Sequence, residues 1–201
     1  MESKVIKIAE DIFRHHNGIL RNRQALELGI DRPTLARMVK AGILVRESRG
    51  VYRLAAQHPL SNPDLTIVAL RVPSAVFCLI SALNYHNLTT QIPYQVYIAL
   101  PRDTKAPRLD YPPVNITYLS EAPYSAGIEE HTLDGVSVRI YCREKTIVDC
   151  FKFRNKIGQD VAIEALKDYL HQPGRDVRKL LEYAAINRVS NTIMPYLKGS
   201  L

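Results

Sequence analysis

The chain has 201 residues, of which 46% are hydrophobic, and a formal net charge of +7. That composition is typical of a folded globular protein and not of a disordered chain. The length accommodates one medium domain or two small ones. The basic balance favours an anionic partner, and nucleic acid is the commonest one.

The first predicted element is an amphipathic helix. Apolar residues from Val5 to Phe13 recur at spacings of three and four, and Asn17-Gly18 ends the pattern. This helix is expected to support the elements that follow it.

Two shorter helices are predicted next, joined by a glycine turn. Gly29 provides the positive φ that ends the first of them. Asp31 or Arg32 opens the second, with Pro33 in its first turn, where no intrahelical amide is needed. The pattern predicts a helix-turn-helix, whose second helix enters the major groove in DNA-binding proteins.

Two β-prone runs, residues 43–45 and 51–54, then flank the charged turn 46–50 and predict a wing. Residues 21–54 carry eight Lys or Arg against three acids, a net of +5. We therefore predict a winged helix-turn-helix DNA-binding domain over residues 1–57, followed by a Pro-containing linker at residues 55–63.

The predicted DNA contacts come from the two short helices and the wing. Arg32, Thr34 and Arg37 are the candidates nearest the bases, because the N-terminal part of a recognition helix leads into the groove. The competing interpretations are a solvated basic face and a protein-binding winged helix. The full predicted set is Arg21, Arg23, Arg32, Thr34, Arg37, Lys40, Arg46 and Arg49.

Residues 58–201 are predicted to form a second domain with a net charge of only +2. We expect helices over 64–71 and 74–85, strands over 95–100 and 115–119, and a hairpin over 128–142 with its turn at Asp134-Gly135. Four apolar helical patterns follow up to residue 197. The fold class is α+β, with a small, mostly antiparallel sheet and C-terminal helices in this domain.

No motif in the chain indicates catalysis, a cofactor or a metal site. The sequence has no phosphate-binding glycine loop, G-x-S-x-G or H-E-x-x-H, and no Cys or His spacing typical of zinc. Asp134 and Glu144-Lys145 resemble a carboxylate-metal nuclease loosely, with the wrong spacing. Asp149 is interpreted as an ion-pair partner of Lys145, Lys152 or Arg143, and a partner-binding face is the alternative.

Several stretches together resemble the AbiEi family of abortive-infection antitoxins, also described as predicted transcriptional regulators of viral defence. They are GILRNRQALELGIDRPTLARMVKAGILVRESRGVYRL at residues 18–54, then SAVFCLISALNYHNLT, QVYIALP and REKTIVDCFKFRNKIGQDVAIEALKDYL. The resemblance covers nearly the whole chain, and the last stretch makes it more specific than a winged helix alone.

The resemblance implies a type IV antitoxin that counters a nucleotidyltransferase-like toxin of the AbiEii type without needing a stable complex. It also implies that the winged helix represses the shared promoter by cooperative binding of double-stranded DNA at inverted repeats, by a monomer or a weak dimer. The carried-over DNA-facing set is Arg32, Thr34, Arg37, Lys40, Arg46 and Arg49, with no catalytic residue.

Two rival functions stay open: a stand-alone regulator whose second domain senses a ligand or a protein, and a DNA-bound enzyme. The three cysteines, Cys78, Cys142 and Cys150, lie in apolar or β-like sequence and fit buried thiols of a reducing compartment. No apolar run approaches the length of ~20 residues needed to span a bilayer. We expect a cytoplasmic protein with no membrane partner.

Overall fold

The computed structural model describes residues 2–199, and their contacts group them into two compact units. The first unit runs to Pro73 and adds two short segments, Leu109–Pro112 and Thr132–Val138. The second comprises Ser74–Arg108, Pro113–His131 and the chain from Arg139 onward. The division at residue 57 that the sequence suggests stays a prediction.

The first unit has the element order predicted for a winged helix-turn-helix. Its elements are α1 (Glu2–His15), β1 (Ile19–Arg21), α2 (Asn22–Glu27), α3 (Arg32–Lys40), β2 (Leu44–Ser48), β3 (Val51–Leu54) and α4 (Pro63–Arg71). The three strands form an antiparallel sheet in the order β1-β3-β2. Helix α1 packs its buried Ala9 and Phe13 against Leu35 and Met38 of α3, and the core of this unit lies there.

Two glycines set the ends of the helix pair. Gly29 follows α2 with φ +86°, and Gly42 follows α3 with φ +70°. Both values lie in the left-handed region that glycine enters without a steric penalty. The predicted turn between α2 and α3 is therefore confirmed at the residue where the sequence placed it.

The second unit combines a sheet with a block of helices. Its elements are β4 (Val76–Phe77), α5 (Leu79–Tyr85), β5 (Val96–Pro101), β6 (Val114–Leu119), α6 (Glu121–Ser125), β7 (Ile128–Leu133), β8 (Val136–Tyr141), α7 (Arg143–Lys152), α8 (Arg154–Ile157), α9 (Gln159–His171), α10 (Val177–Ile186) and α11 (Ser190–Lys198). The strand order is β6-β5-β4-β8-β7, and the tip of the β7–β8 hairpin groups with the first unit. The α+β class is confirmed.

This sheet is larger than expected and mixed rather than mostly antiparallel. Strands β4 and β8 pair in parallel, as do β5 and β6, whereas β4 and β5 are antiparallel. The helix predicted over residues 74–85 begins only at Leu79, because Val76 and Phe77 form a central strand with a partner on either side. This short segment is a strand because it pairs with strands distant in the sequence, and local periodicity cannot reveal such pairing.

Helix α7 is the centre of the helical block. Every residue from Glu144 to Phe151 is buried, and the helix packs against α5, α9 and α10. Sequence periodicity predicted only an apolar stripe here. The three cysteines are buried and carry free thiols, and burial raises the pKa of Cys78 and Cys150 well above the usual thiol range.

No helix within residues 2–199 is both long enough and apolar enough to cross a membrane.

Candidate nucleic-acid interface

Helix α3 is fixed at its start by a side-chain cap. The Thr34 backbone amide donates to Asp31 Oδ1 at 2.8 Å, and Pro33 occupies the first turn. The hydrogen bonds from Thr34 hold the pKa of Asp31 below its usual range. This is a standard N-cap arrangement, so Asp31 fixes the residue at which α3 begins.

Because Leu35 and Met38 of α3 face the core, the helix presents its opposite side to solvent. Arg32 at the first position and Lys40 at the last are both exposed. Among the residues that the structure describes, neither forms an ion pair. The two predicted contacts at the ends of α3 are thus accessible to an anion.

Thr34 departs from the prediction that it faces the bases. Its side chain is only 2% exposed, because the threonine lies in the first turn on the core side of the helix. Its Oγ1 accepts a hydrogen bond of 2.9 Å from Nη2 of Arg37, which is half-buried. Thr34 therefore positions the Arg37 guanidinium and is not itself part of the exposed face.

The wing carries two more exposed cations. Arg46 lies on β2 opposite Tyr52, next to a bulge between Arg46 and Ser48, and Arg49 lies in the turn before Gly50. Arg49 Nη1 is 3.6 Å from Asp110 Oδ2, but both side chains are more than 70% exposed, so solvent weakens this pair. Both arginines lie where the sequence predicted.

Two of the three acids of this stretch pair with arginines, and the third is Asp31, the N-cap of α3. Glu27 pairs with exposed Arg23 at 2.8 Å, from Oε1 to Nε. Glu47 pairs with Arg53 at 2.5 Å, and the buried Arg53 guanidinium also donates to the carbonyls of Leu54 and Gln57. These pairs leave the cations of α3 and the wing as an excess of positive charge.

Arg21 also differs from the expected DNA contact. It is half-buried at the end of β1, and its Nη1 donates to the Leu70 carbonyl at 3.3 Å. Arg21 therefore ties β1 to α4. The structure leaves one set of exposed candidates, which we call the basic face: Arg32, Lys40, Arg46 and Arg49, with Arg23 exposed but paired and Arg37 held by Thr34.

One organising residue of the first unit was not found from the sequence. Asp134, at the hairpin tip, accepts from Ser61 N (2.9 Å), Ser61 Oγ (2.6 Å), Asn62 N (3.1 Å) and Thr66 Oγ1 (3.0 Å). The amides belong to the residues that precede α4. The sequence-based comparison with a nuclease treated Asp134 as a loose metal-ligand candidate, whereas its oxygens hold the residues that lead into α4. Within residues 2–199, no cluster of three or more His, Cys, Asp or Glu is placed to hold a metal ion.

The second unit contains a polar cleft of about 410 Å³. Its walls include His86, His131, Glu129, Glu144 and Lys179. His86 Nε2 lies 2.7 Å from the Tyr141 carbonyl, and burial lowers the pKa of His86. Glu144 is 5% exposed and accepts from Tyr169 at 2.7 Å. Sequence spacing gave no sign of this cleft, because its residues come from four separate stretches of the chain.

The fold and the site define an α+β protein in which a helix-turn-helix unit exposes basic residues on its second helix and on its wing. Residues 7–55 match a family model described as "Transcriptional regulator, AbiEi antitoxin". The resemblance seen in the sequence is thereby confirmed over the helix-turn-helix and the wing. This part of the chain is therefore similar to a family of transcriptional regulators and antitoxins.

The chain also resembles a solved structure, that of the RV2827C protein from Mycobacterium tuberculosis. The TM-score is 0.57 at 14% identity, over 95% of this chain and 79% of that one. At this identity the likeness concerns the fold alone. No curated protein sequence matches the chain significantly.

Proposed function

We propose that this protein is a DNA-binding autorepressor and the antitoxin of a bacterial type IV toxin-antitoxin pair that acts in abortive phage infection in the cytoplasm. The observation that carries the DNA-binding part is the basic face, together with the family match over the same residues. Cations left over after the local acids are paired supply the phosphate-directed attraction on which DNA affinity depends.

The roles within the basic face follow from position. Arg32 opens α3 and points its guanidinium from the end of a recognition helix that leads into the major groove, where arginine reads guanine. Lys40 closes the helix, and Arg46 and Arg49 belong to the wing, so these three contact the sugar-phosphate backbone. The antitoxin role belongs to the second unit and rests on the resemblance, and no residue of the chain is assigned a catalytic role.

The test of the DNA-binding half is fluorescence anisotropy with DNA from the protein's own promoter at several salt concentrations. Arg32→Ala should cost about 1–3 kcal/mol of binding and relax the sequence preference. Arg46→Ala should weaken all sequences alike and reduce the salt slope by about 1.

The chain offers a matched control. Arg178 is, like Arg32, an exposed arginine near the start of a helix, but it lies on α10, outside the helix-turn-helix. Arg178→Ala should leave DNA affinity unchanged. Equal losses in Arg32→Ala and Arg178→Ala would contradict the assignment of the basic face.

The antitoxin half is tested by co-expression with the product of the neighbouring gene, which this proposal expects to be nucleotidyltransferase-like. An Arg32→Ala/Lys40→Ala/Arg46→Ala variant of the full chain should lose promoter repression and still rescue growth. Loss of rescue by this folded variant would contradict the division of labour.

The second candidate is a stand-alone regulator that senses a ligand, and the polar cleft of the second unit favours it. The absence of a nucleotidyltransferase-like gene beside this one, together with intact promoter binding, would select that candidate.

A further inference from the structure

Helix α1 exposes apolar surface that the core of its unit does not cover. Ala9 and Phe13 are 3% and 0% exposed, whereas Val5 and Ile8 are 46% and 53% exposed, and Ile12 is half-buried between these two groups. Sequence periodicity placed all five on the apolar face of an amphipathic helix. Val5, Ile8 and Ile12, which we call the α1 stripe, form instead a solvent-facing edge of that face.

A groove of about 140 Å³ runs beside the α1 stripe. Its walls include Val5, Ile8, Ala9 and Ile12 on one side and Gly29 and Ile30 of the turn before α3 on the other. The space beside Gly29 is open, since a Cβ built there would meet nothing within 4 Å. The groove can receive an aliphatic side chain of a helix laid against α1.

The charges beside the α1 stripe would match those of a second copy of the helix related by a twofold axis. Lys4 and Asp11 are seven residues apart, so at 100° per residue they lie on the same side of the helix, about 20° from each other. Lys4 is exposed, and half of the Asp11 side chain is exposed although Arg14 donates to it at 3.1 Å. In an antiparallel pair of α1 helices centred near Ile8, each Lys4 faces the Asp11 of the other copy.

We propose that the α1 stripe pairs with the α1 stripe of a second copy of this chain, in antiparallel orientation, when two copies occupy neighbouring half-sites. Three aliphatic side chains supply far less than the ~800 Å² per partner that a standard stable interface buries. The pair therefore forms on DNA, where adjacent binding raises the effective concentration of the second copy into the millimolar range. This inference rests on the proposed DNA-binding function.

The first experiment compares binding to promoter DNA carrying one half-site and two half-sites. Ile8→Glu should leave one-site affinity unchanged and lower the affinity of the second copy on two-site DNA about tenfold, within the usual range of coupling between sites. Ile186→Glu is the control, because Ile186 is also a partly exposed helical isoleucine, 41% exposed, but lies on α10. It should leave cooperativity intact.

The second experiment tests the orientation of the two helices. Lys4→Asp and Asp11→Lys should each reduce cooperativity, and the Lys4→Asp/Asp11→Lys double variant should restore it, because the swap recreates both pairs. Ile8→Cys should crosslink between copies with a short bis-maleimide on two-site DNA, against little background since the three native cysteines are buried.

The outcomes separate this inference from the function on which it rests. Failure of the wild-type chain to bind one-site DNA overturns the proposed function. Normal one-site binding with cooperativity unaffected by Ile8→Glu overturns the α1 pairing alone. Loss of cooperativity that the double swap fails to restore overturns the antiparallel arrangement.

Discussion

Replacing Lys145 by Met should destabilise the second unit by about 3–5 kcal/mol, because it leaves a buried carboxylate without its cation. The Lys145 side chain is fully buried, and its Nζ lies 2.6 Å from both oxygens of Asp149 and 4.2 Å from the centre of the Tyr141 ring. Asn187 Nδ2 also donates to Asp149 Oδ1 at 2.6 Å. In the variant, the Asn187 amide still donates to this carboxylate, which is 1% exposed and has lost its cation.

The loss should depend on pH with a defined sign. Burial raises the pKa of Asp149 even beside Lys145, and removal of the ammonium raises it further. Below the unfolded pKa of about 3.9 both states are protonated, so the carboxylate adds no penalty there. The penalty grows as the pH rises towards the folded pKa, so the variant should be least stable relative to wild type at neutral pH.

The measurement is urea unfolding followed by far-UV circular dichroism, because the chain has eleven tyrosines and no tryptophan. Hydrogen exchange of α7 and α10 locates the effect. The double variant Lys145→Met/Asp149→Leu removes both charges and should recover most of the loss, less about 1–3 kcal/mol for the orphaned Asn187 amide. The reasoning would be refuted if Lys145→Met lowered the free energy of unfolding by less than about 1 kcal/mol. It would also be refuted if the loss in the double variant equalled the sum of the losses in Lys145→Met and Asp149→Leu.

Three further changes have defined outcomes. Asp134→Asn, which keeps a residue tolerant of the positive φ of 51°, should cost about 2 kcal/mol at pH 7 in chemical unfolding. Partial burial raises the pKa of Asp134, but its hydrogen bonds outweigh that effect, so the pKa is lowered in the folded protein. The stabilisation by the Asp134 carboxylate is therefore present above pH ~3.9 and is lost as the pH falls through the folded pKa. Asp134→Asn should not show this loss of stability in acid. Thr34→Val removes the oxygen that accepts from Arg37 Nη2 and should weaken promoter binding about threefold to tenfold in anisotropy titrations, with an unchanged melting temperature setting this effect apart from misfolding. Gly127→Ala should lower the melting temperature markedly, because φ is +73° and the new Cβ would lie 2.7 Å from Lys145 Cβ; an unchanged melting curve would contradict the close packing there.

The helix-turn-helix was predictable because its signals are local. Pro33, Gly29 and Gly42 mark helix ends by their own backbone preferences, and the positive residues cluster in 34 consecutive positions. The same reasoning could not show that Thr34 is buried whereas Arg32 is exposed, since the burial of Thr34 depends on how α1 packs against α3. Nor could it find that Arg21 bonds a carbonyl 49 residues away.

In the second unit, prediction succeeded for segments that a turn or a strong period defines. The hairpin at Asp134-Gly135 and the helix α9 are examples. It failed for β4, whose two residues are a strand only because β5 and β8 lie on either side. The sequence interpretation offered Lys145, Lys152 or Arg143 as the ion-pair partner of Asp149, and the structure shows Lys145 in that place. Its complete burial, and the third partner Asn187, depend on how α7 and α10 pack.

The hydrogen bonds of Asp134 have a practical consequence for experiments that divide this protein into fragments. The carboxylate that organises the residues before α4 comes from position 134, so a fragment cut after residue 57 or 73 lacks it. A fragment cut after residue 73 would lose Val136, which packs with Val51 and Leu70 in the intact chain, and either fragment would leave Asn17 without the Gly135 carbonyl to which it donates at 2.9 Å. Genetic screens that truncate the chain would then record loss of repression for a reason unrelated to DNA contact. Point substitutions in the full-length chain are therefore better suited than truncation to separating its proposed DNA-binding and antitoxin activities.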